Sequence, residues 1–185
     1  MSKREDILSA TLDLINQEGL QSTTIPKIFK KANVGSGTFY HYFNNKEELV
    51  NELFRAIGTH MGEVVISNYD PTLTIFERLK CMLRNIAEFA LKYPKELWFL
   101  ENYYHSPYIS DESRNMQDPA MNEFFVIVDQ GQKQGIIRDM DKMMCCQILN
   151  GIIISVIKGS LAGKYPLDEY QIQQTIEACW RAVKI

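Results

Sequence analysis

The sequence predicts an all-α protein, with an N-terminal three-helix helix-turn-helix domain over residues 1–47 and a C-terminal helical bundle over residues 48–185. Three observations carry that prediction. Apolar side chains recur at helical spacing from one end of the chain to the other. Prolines fall between these stretches or in their first turns, where a missing N–H costs little. No segment alternates apolar and polar residues as a half-buried strand does.

The first helix is expected over Lys3–Glu18, where Ile7, Leu8, Thr11, Leu12, Leu14 and Ile15 form a stripe and Gly19 supplies a stop. Thr23 or Thr24 can cap a second helix running to about Ala32, with Pro26 in its first turn and Ile25, Ile28, Phe29 and Ala32 on one face. Asn33-Val34-Gly35 then permits a sharp exit, since Asn tolerates the left-handed conformation better than other non-glycine residues. A third helix follows over roughly Ser36–Phe43. At about 100° per residue, Phe39 and Phe43 share its core face with Tyr42 at the edge. Gly37 and His41 project from the opposite side, flanked by Thr38 and Tyr40. A solvated helix usually carries Lys and Glu there; a small, hydrogen-bonding surface suits a major groove. Asn45-Lys46-Glu47-Glu48 reads as a capping box for a fourth helix, whose positive amino end and Lys46 attract phosphate.

The run VGSGTFYHYFNNKEEL resembles the recognition-helix signature of TetR-type transcriptional repressors, and the likeness extends over about residues 4–55. By matching position it implies that Ser36, Gly37, Thr38, Tyr40, His41 and Tyr42 read bases and phosphates of a double-stranded DNA operator, while Thr24 and Lys46 contact phosphate. Three positions depart from the family pattern: Asn33 replaces its usual Gly, Gly35 a capping Ser, and Phe29 a small residue.

A long helix from Glu47 to about Ser67 leads away from this unit until Asn68-Tyr69-Asp70-Pro71 breaks it, and no Gly/Ser linker separates the two domains. Further helices are expected over Thr72–Lys92, Lys95–Tyr104, about Pro119–Gln134, Asp141–Gly163 and Leu167–Val183, about nine in all. Aromatics crowd the middle, where Trp98, Phe99, Asn102, Tyr103, His105, Tyr108, Phe124 and Phe125 combine flat apolar walls with polar handles, the composition of a small-molecule cavity. The resemblance adds weight, because the second domain of that family commonly holds an inducer. Asp141–Gly163 is apolar nearly all round and has to be covered on more than one side. Its small residues Gly151, Ser155 and Gly159, together with Ile172, Ile176 and Trp180 of the last helix, are expected to form the seam of a homodimer, as in the similar family.

With 185 residues, 45% hydrophobic and 23% charged, the chain can bury a proper core and is not a disordered or disulfide-stapled one. A net charge of −3 does not advertise nucleic-acid binding, so affinity for DNA must come from a local patch. Residues 1–47 carry six Lys/Arg against five Asp/Glu, the remainder fourteen against eighteen. Cys81, Cys145, Cys146 and Cys179 lack metal-ligand spacing and read as reduced, mostly buried small hydrophobes. No charged start leads into an apolar signal segment, and Gly151–Ile157 is too short to span a bilayer, so a cytoplasmic protein without a membrane partner is expected. An enzyme is the first alternative, but His60 with Glu63 and His105 with Glu101 do not supply the paired Glu-x-x-His sets of a helical metal site. Neither metal nor cofactor is expected. A ligand-independent DNA-binding or adaptor protein with a filled core is the second alternative.

Overall fold

In the computed structural model, which describes residues 2–116 and 118–185, the helices run in the order α1 (Lys3–Ser22), α2 (Ile25–Ala32), α3 (Ser36–Tyr42), α4 (Lys46–Val65), α5 (Ile75–Lys92), α6 (Pro94–Tyr103), α7 (Asp111–Arg114), α8 (Pro119–Lys133), α9 (Lys142–Leu161) and α10 (Glu169–Val183). Among the described residues there is no strand, only an isolated antiparallel bridge between Ile137 and Lys184. The all-α expectation therefore holds, with one helix more than the periodicity suggested. The addition, α7, is a single turn capped by Ser110, too short to carry a period.

The chain forms two units, Met1–His60 with Tyr93–Gln117, and Met61–Lys92 with Asp118–Ile185. In the first, α1 starts at a reciprocal capping box between Ser2 and Glu5 and buries Ile7, Leu8, Ala10, Thr11, Ile15 and Leu20. Regular helix stops at Gly19, as the sequence indicates, and a further turn follows it. The residue sits at φ 81° and ψ 161°, which glycine accepts without a Cβ penalty, and the helix kinks there and continues to Ser22. The expected threonine cap of α2 resolves differently. Thr24 occupies the N-cap position without a side-chain capping bond, while the buried Thr23 hydroxyl turns back to donate to the Gly19 carbonyl at 2.9 Å. Pro26 leaves α2 one amide fewer to satisfy, whereas the kink in α1 leaves a carbonyl to be closed.

The amino end of α4 is held by Asn45, whose Oδ1 accepts the Glu48 N–H at 2.8 Å; the Glu48 carboxylate accepts in turn from the Asn44 backbone and side chain. Further along, Asn51 donates to the Tyr108 carbonyl and accepts from the Ser110 N–H, tying the α6–α7 connection to α4. Arg4 and Arg55 both engage Glu52, and the Arg55 hydrogen bond holds that carboxyl below the ordinary range against the opposing effect of burial.

The second unit packs α5, α8, α9 and α10. Ala87, Ile153, Ile157 and Ile172 meet around a crevice too narrow for a water molecule. Two polar side chains of α5 point inward. Asn85 donates to the Val65 and Ser67 carbonyls at 2.9 Å each, closing the carboxyl end of α4. Arg78 donates through Nε to Tyr69 Oη at 2.7 Å and through Nη1 to Gln130 Oε1, with its guanidinium 5.5 Å from the centre of the Tyr69 ring. All four cysteines are free thiols, and burial pushes Cys145 and Cys179 up to about 11, well short of a reactive thiolate at neutral pH.

Candidate nucleic-acid interface

Asn33, at φ 51° and ψ 54°, ends α2 in the left-handed conformation, and Val34 N–H returns to the Phe29 carbonyl at 3.1 Å. A residue that tolerates this conformation is what turns the chain from α2 into α3. α3 is then fastened from beneath. Phe39 is fully buried, its ring 5.2 Å from Phe29 in an edge-on arrangement and 5.8 Å from Phe43. The bulky Phe29 thus serves as the third ring of the cluster, a packing role that a small residue could not fill.

With those rings inward, Ser36, Gly37, Tyr40, His41 and Tyr42 face solvent, and Thr38 is half-buried. Tyr40 is 54% exposed, its ring braced edge-on by Phe39 at 5.3 Å; His41 and Tyr42 brace each other at 4.9 Å. Rigid aromatic side chains held at their base lose little rotamer freedom on contact. Gly35 and Gly37 need no positive φ, and a Cβ built on either would find no atom within 4 Å. The fold leaves room for a larger residue at both, so the surface of α3 is lower there than internal packing requires.

Thr24 is exposed at the start of α2. Lys46 is half-buried, its Nζ donating to the Leu20 carbonyl, and burial lowers its pKa. Among the α2 lysines, Lys27 pairs with Glu18 at 2.8 Å and Lys31 approaches Asp13 at 3.9 Å, while Lys30 is exposed. Of the α2 lysines, Lys30 is thus the one that no acid of α1 is seen to engage among the described residues, and the amino end of α4 sets Lys46 beside Glu47 and Glu48.

The eight candidates for a small-molecule cavity divide between the two units. In the first, Phe99 is buried, Trp98 is half-buried with its carbonyl accepting from Asn102, and Tyr103 accepts from the Leu20 N–H; His105 and Tyr108 are exposed. In the second, Phe124 is buried and Phe125 half-buried, ring centres 6.0 Å apart, with Lys142 over Phe125 at 5.9 Å. The hydrogen-bonding roles of Asn51 and Tyr103 were not foreseen from the sequence. Asn51 stands among apolar neighbours in the α4 stripe, and that was the available signal.

Of the residues expected at a dimer seam, Gly151 and Ser155 are exposed and Gly151 has open space before it. Gly159 faces its own chain: a Cβ there would overlap the Tyr165 hydroxyl, which donates to the Val156 carbonyl at 2.8 Å. Ile172 and Ile176 are buried within the unit, and Trp180 lies against Phe76 at 5.1 Å. α9 as a whole is longer than its most apolar run: Lys142–Leu161 has a mean hydropathy of 1.5 over its best 18-residue window, yet only 28% of that window is buried.

Residues 7–53 match the bacterial regulatory proteins of the tetR family, and residues 53–185 match the tetracyclin repressor-like C-terminal domain. An uncharacterised HTH-type transcriptional regulator of Haemophilus influenzae is 28% identical over 180 residues, covering 97% of this chain and 95% of that protein. The crystal structure of a TetR-family regulator from Haemophilus influenzae superposes with a TM-score of 0.82 at 28% identity over 99% of this chain and 97% of that one. A TetR-family regulator from Marinobacter aquaeolei superposes at 0.90 over 98% and 95%; at 21% identity this likeness concerns the fold alone.

Proposed function

Because the chain belongs to the TetR family of bacterial transcriptional regulators, it is a DNA-binding regulator and not an enzyme, and we propose that it acts in the cytoplasm as a dimeric repressor released from its operator by a small hydrophobic or aromatic ligand. The observation that carries the DNA contacts is the outer face of α3. It lacks the Lys and Glu of a solvated helix and offers Ser36, Gly37, Thr38, Tyr40, His41 and Tyr42 above a base of buried rings. Such a helix enters a major groove with its side chains against base edges and phosphates, while Thr24 and Lys46 at two neighbouring helix starts engage the backbone. Gly37 allows that approach to be close.

Two copies related by a twofold axis bind a pseudo-palindrome whose half-sites lie roughly 34–36 Å apart or somewhat more. Footprinting on a duplex enriched from a randomised pool tests this, and protection without twofold symmetry would refute it. Tyr40→Ala and His41→Ala are each expected to lower affinity for that duplex by about 1–3 kcal/mol, and Thr38→Ala to do likewise. Lys46→Ala should weaken all sequences alike and reduce the salt slope by about one. Titration at several salt concentrations separates the two patterns.

In this reading the second copy docks on α9, whose exposed side carries Met143, Met144, Gly151 and Ser155 beside the polar Gln147. A glycine with open space before it lets a partner helix come close. Gly151→Glu is expected to give a monomer at micromolar concentration in analytical ultracentrifugation, since a charge in a packed apolar seam is left unpaired. An unmodified protein that sediments as a monomer would sink the dimer reading.

The ligand reading is supported by flat side chains at Trp98, Phe99 and Tyr103 with Asn102, His105 and Tyr108 near them in sequence, and by Phe124 and Phe125 in the second unit. Binding acts only through a difference in affinity between DNA-competent and DNA-incompetent forms, and a coupling of about 1–3 kcal/mol loosens DNA by roughly 5–150-fold. Compounds that quench tryptophan fluorescence are expected to release the selected duplex; quenching without release would refute the coupling.

A further inference from the structure

The kink in α1 leaves Leu20 with two polar groups that the helix does not use. Gly19, at φ 81° and ψ 161°, takes the following N–H off the helical ladder, and Leu20 is only 2% exposed, so water cannot replace the lost partner. The Leu20 N–H donates to Tyr103 Oη at 3.2 Å, and the Leu20 carbonyl accepts from Lys46 Nζ. One residue thus joins the last residue of α6 to the first residue of α4. Thr23 closes the neighbouring Gly19 carbonyl through both its N–H and its hydroxyl, and α2 begins two residues later.

The phenol is itself held in place. Its ring lies 5.3 Å from that of the buried Phe99, and α6 is fastened to α1 at its other end, where Lys95 pairs with Asp13 and its carbonyl accepts from Asn16 at 3.3 Å. With the helix anchored at both ends, the hydroxyl is a fixed point to which the α1–α2 corner is referred.

We propose that Tyr103 is a positioning residue for DNA binding: its hydroxyl fixes Leu20, and the Leu20 carbonyl holds the Lys46 ammonium at the amino end of α4, ready to pass to a DNA phosphate. The proposal rests on the reading of Lys46 as a phosphate contact. Without the hydroxyl, Leu20 turns to find another partner, its carbonyl moves, and Lys46 is no longer presented. A burial-lowered pKa makes the carbonyl's hold on the ammonium more important, because the acceptor favours the charged form that phosphate requires.

Tyr103→Phe removes the hydroxyl and keeps the ring. Binding of Y103F, K46A and the double variant to the enriched duplex is measured by fluorescence anisotropy, with hydrogen exchange at the Leu20 amide followed by NMR. Y103F is expected to weaken binding about fivefold, the scale of one hydrogen bond, to release the Leu20 amide to faster exchange, and to add nothing in the K46A background. Failure of K46A to weaken DNA binding would remove the Lys46 reading and the proposal with it. If K46A weakens binding but Y103F does not, or if the two losses multiply in the double variant, the proposal alone falls. A Leu20 amide equally protected in Y103F and in the unmodified protein also overturns it, whatever the stability of the variant.

Discussion

Phe39→Ala is expected to lower the unfolding free energy by about 3–5 kcal/mol, the range for emptying a fully buried aromatic site. Phe39 is at 0% exposure, and its ring meets Phe29, Tyr40 and Phe43, so truncation removes the ring that the other three pack against. The loss falls on the base of α3, so sequence-specific DNA binding should disappear before the second unit melts. Chemical denaturation followed by circular dichroism measures the first effect. Tyr40→Ala is the control, because that side chain lies outside the cluster's centre and is more than half exposed. Equal destabilisation by the two substitutions would contradict the assignment of inner and outer faces.

Arg78→Ala is expected to cost about 2–4 kcal/mol. Hydrogen bonds to a charged group contribute about 1.5–3 kcal/mol each, and here one of two acceptors, on the exposed Gln130, can rehydrate. Arg78, at 3% exposure, is the one charged residue buried among the described residues, and Tyr69 links it to Glu123 on α8. Burial raises the Tyr69 phenol above its ordinary value, with Arg78 pulling the other way. A raised folded pKa means that stability present at neutral pH is lost as pH climbs through the unfolded value toward the folded one. In the variant Arg78 no longer opposes burial, so tyrosinate absorbance should appear at higher pH and the alkaline loss of stability should extend further. Tyrosinate appearing at lower pH would contradict the geometry.

α3 and its two faces were legible because three local rules agree there: Asn33 for the turn, Phe39 and Phe43 for the buried side, and an outer face without Lys or Glu. The long helices were legible from their stripes alone. Gly19 was legible as the point where regular helix stops, but the further turn beyond it was not, because that turn depends on whether distant groups satisfy the interrupted ladder. Those groups, Tyr103 and Lys46, lie 83 and 26 residues beyond Leu20. Thr23 and Thr24 were interchangeable as caps until the kink supplied a carbonyl for one of them. Asn51, Arg78, Asn85 and Ser113 are polar residues at buried positions, and their partners come from other elements. Helical periodicity marks where such residues sit and says nothing about what they touch. Gly159 belonged to a stripe of small residues by spacing, but Tyr165 in the following turn occupies the space before it.

The sequence of the first unit is interrupted: it closes only when residues 93–117 return to residues 1–60. Leu97, Phe99 and Ile109 of the returning segment are buried, and Asn51 and Leu20 use its carbonyls and hydroxyls. Recombining regulators by transplanting a head at residue 47 or 60 would therefore carry over α3 while leaving behind part of its own support. Grafts that move both segments together, or that keep the recipient's α1 surface toward α6, are the ones compatible with this architecture. With the proposed reading of α3, exchanging its side chains is the route to new specificity that leaves this two-segment unit intact.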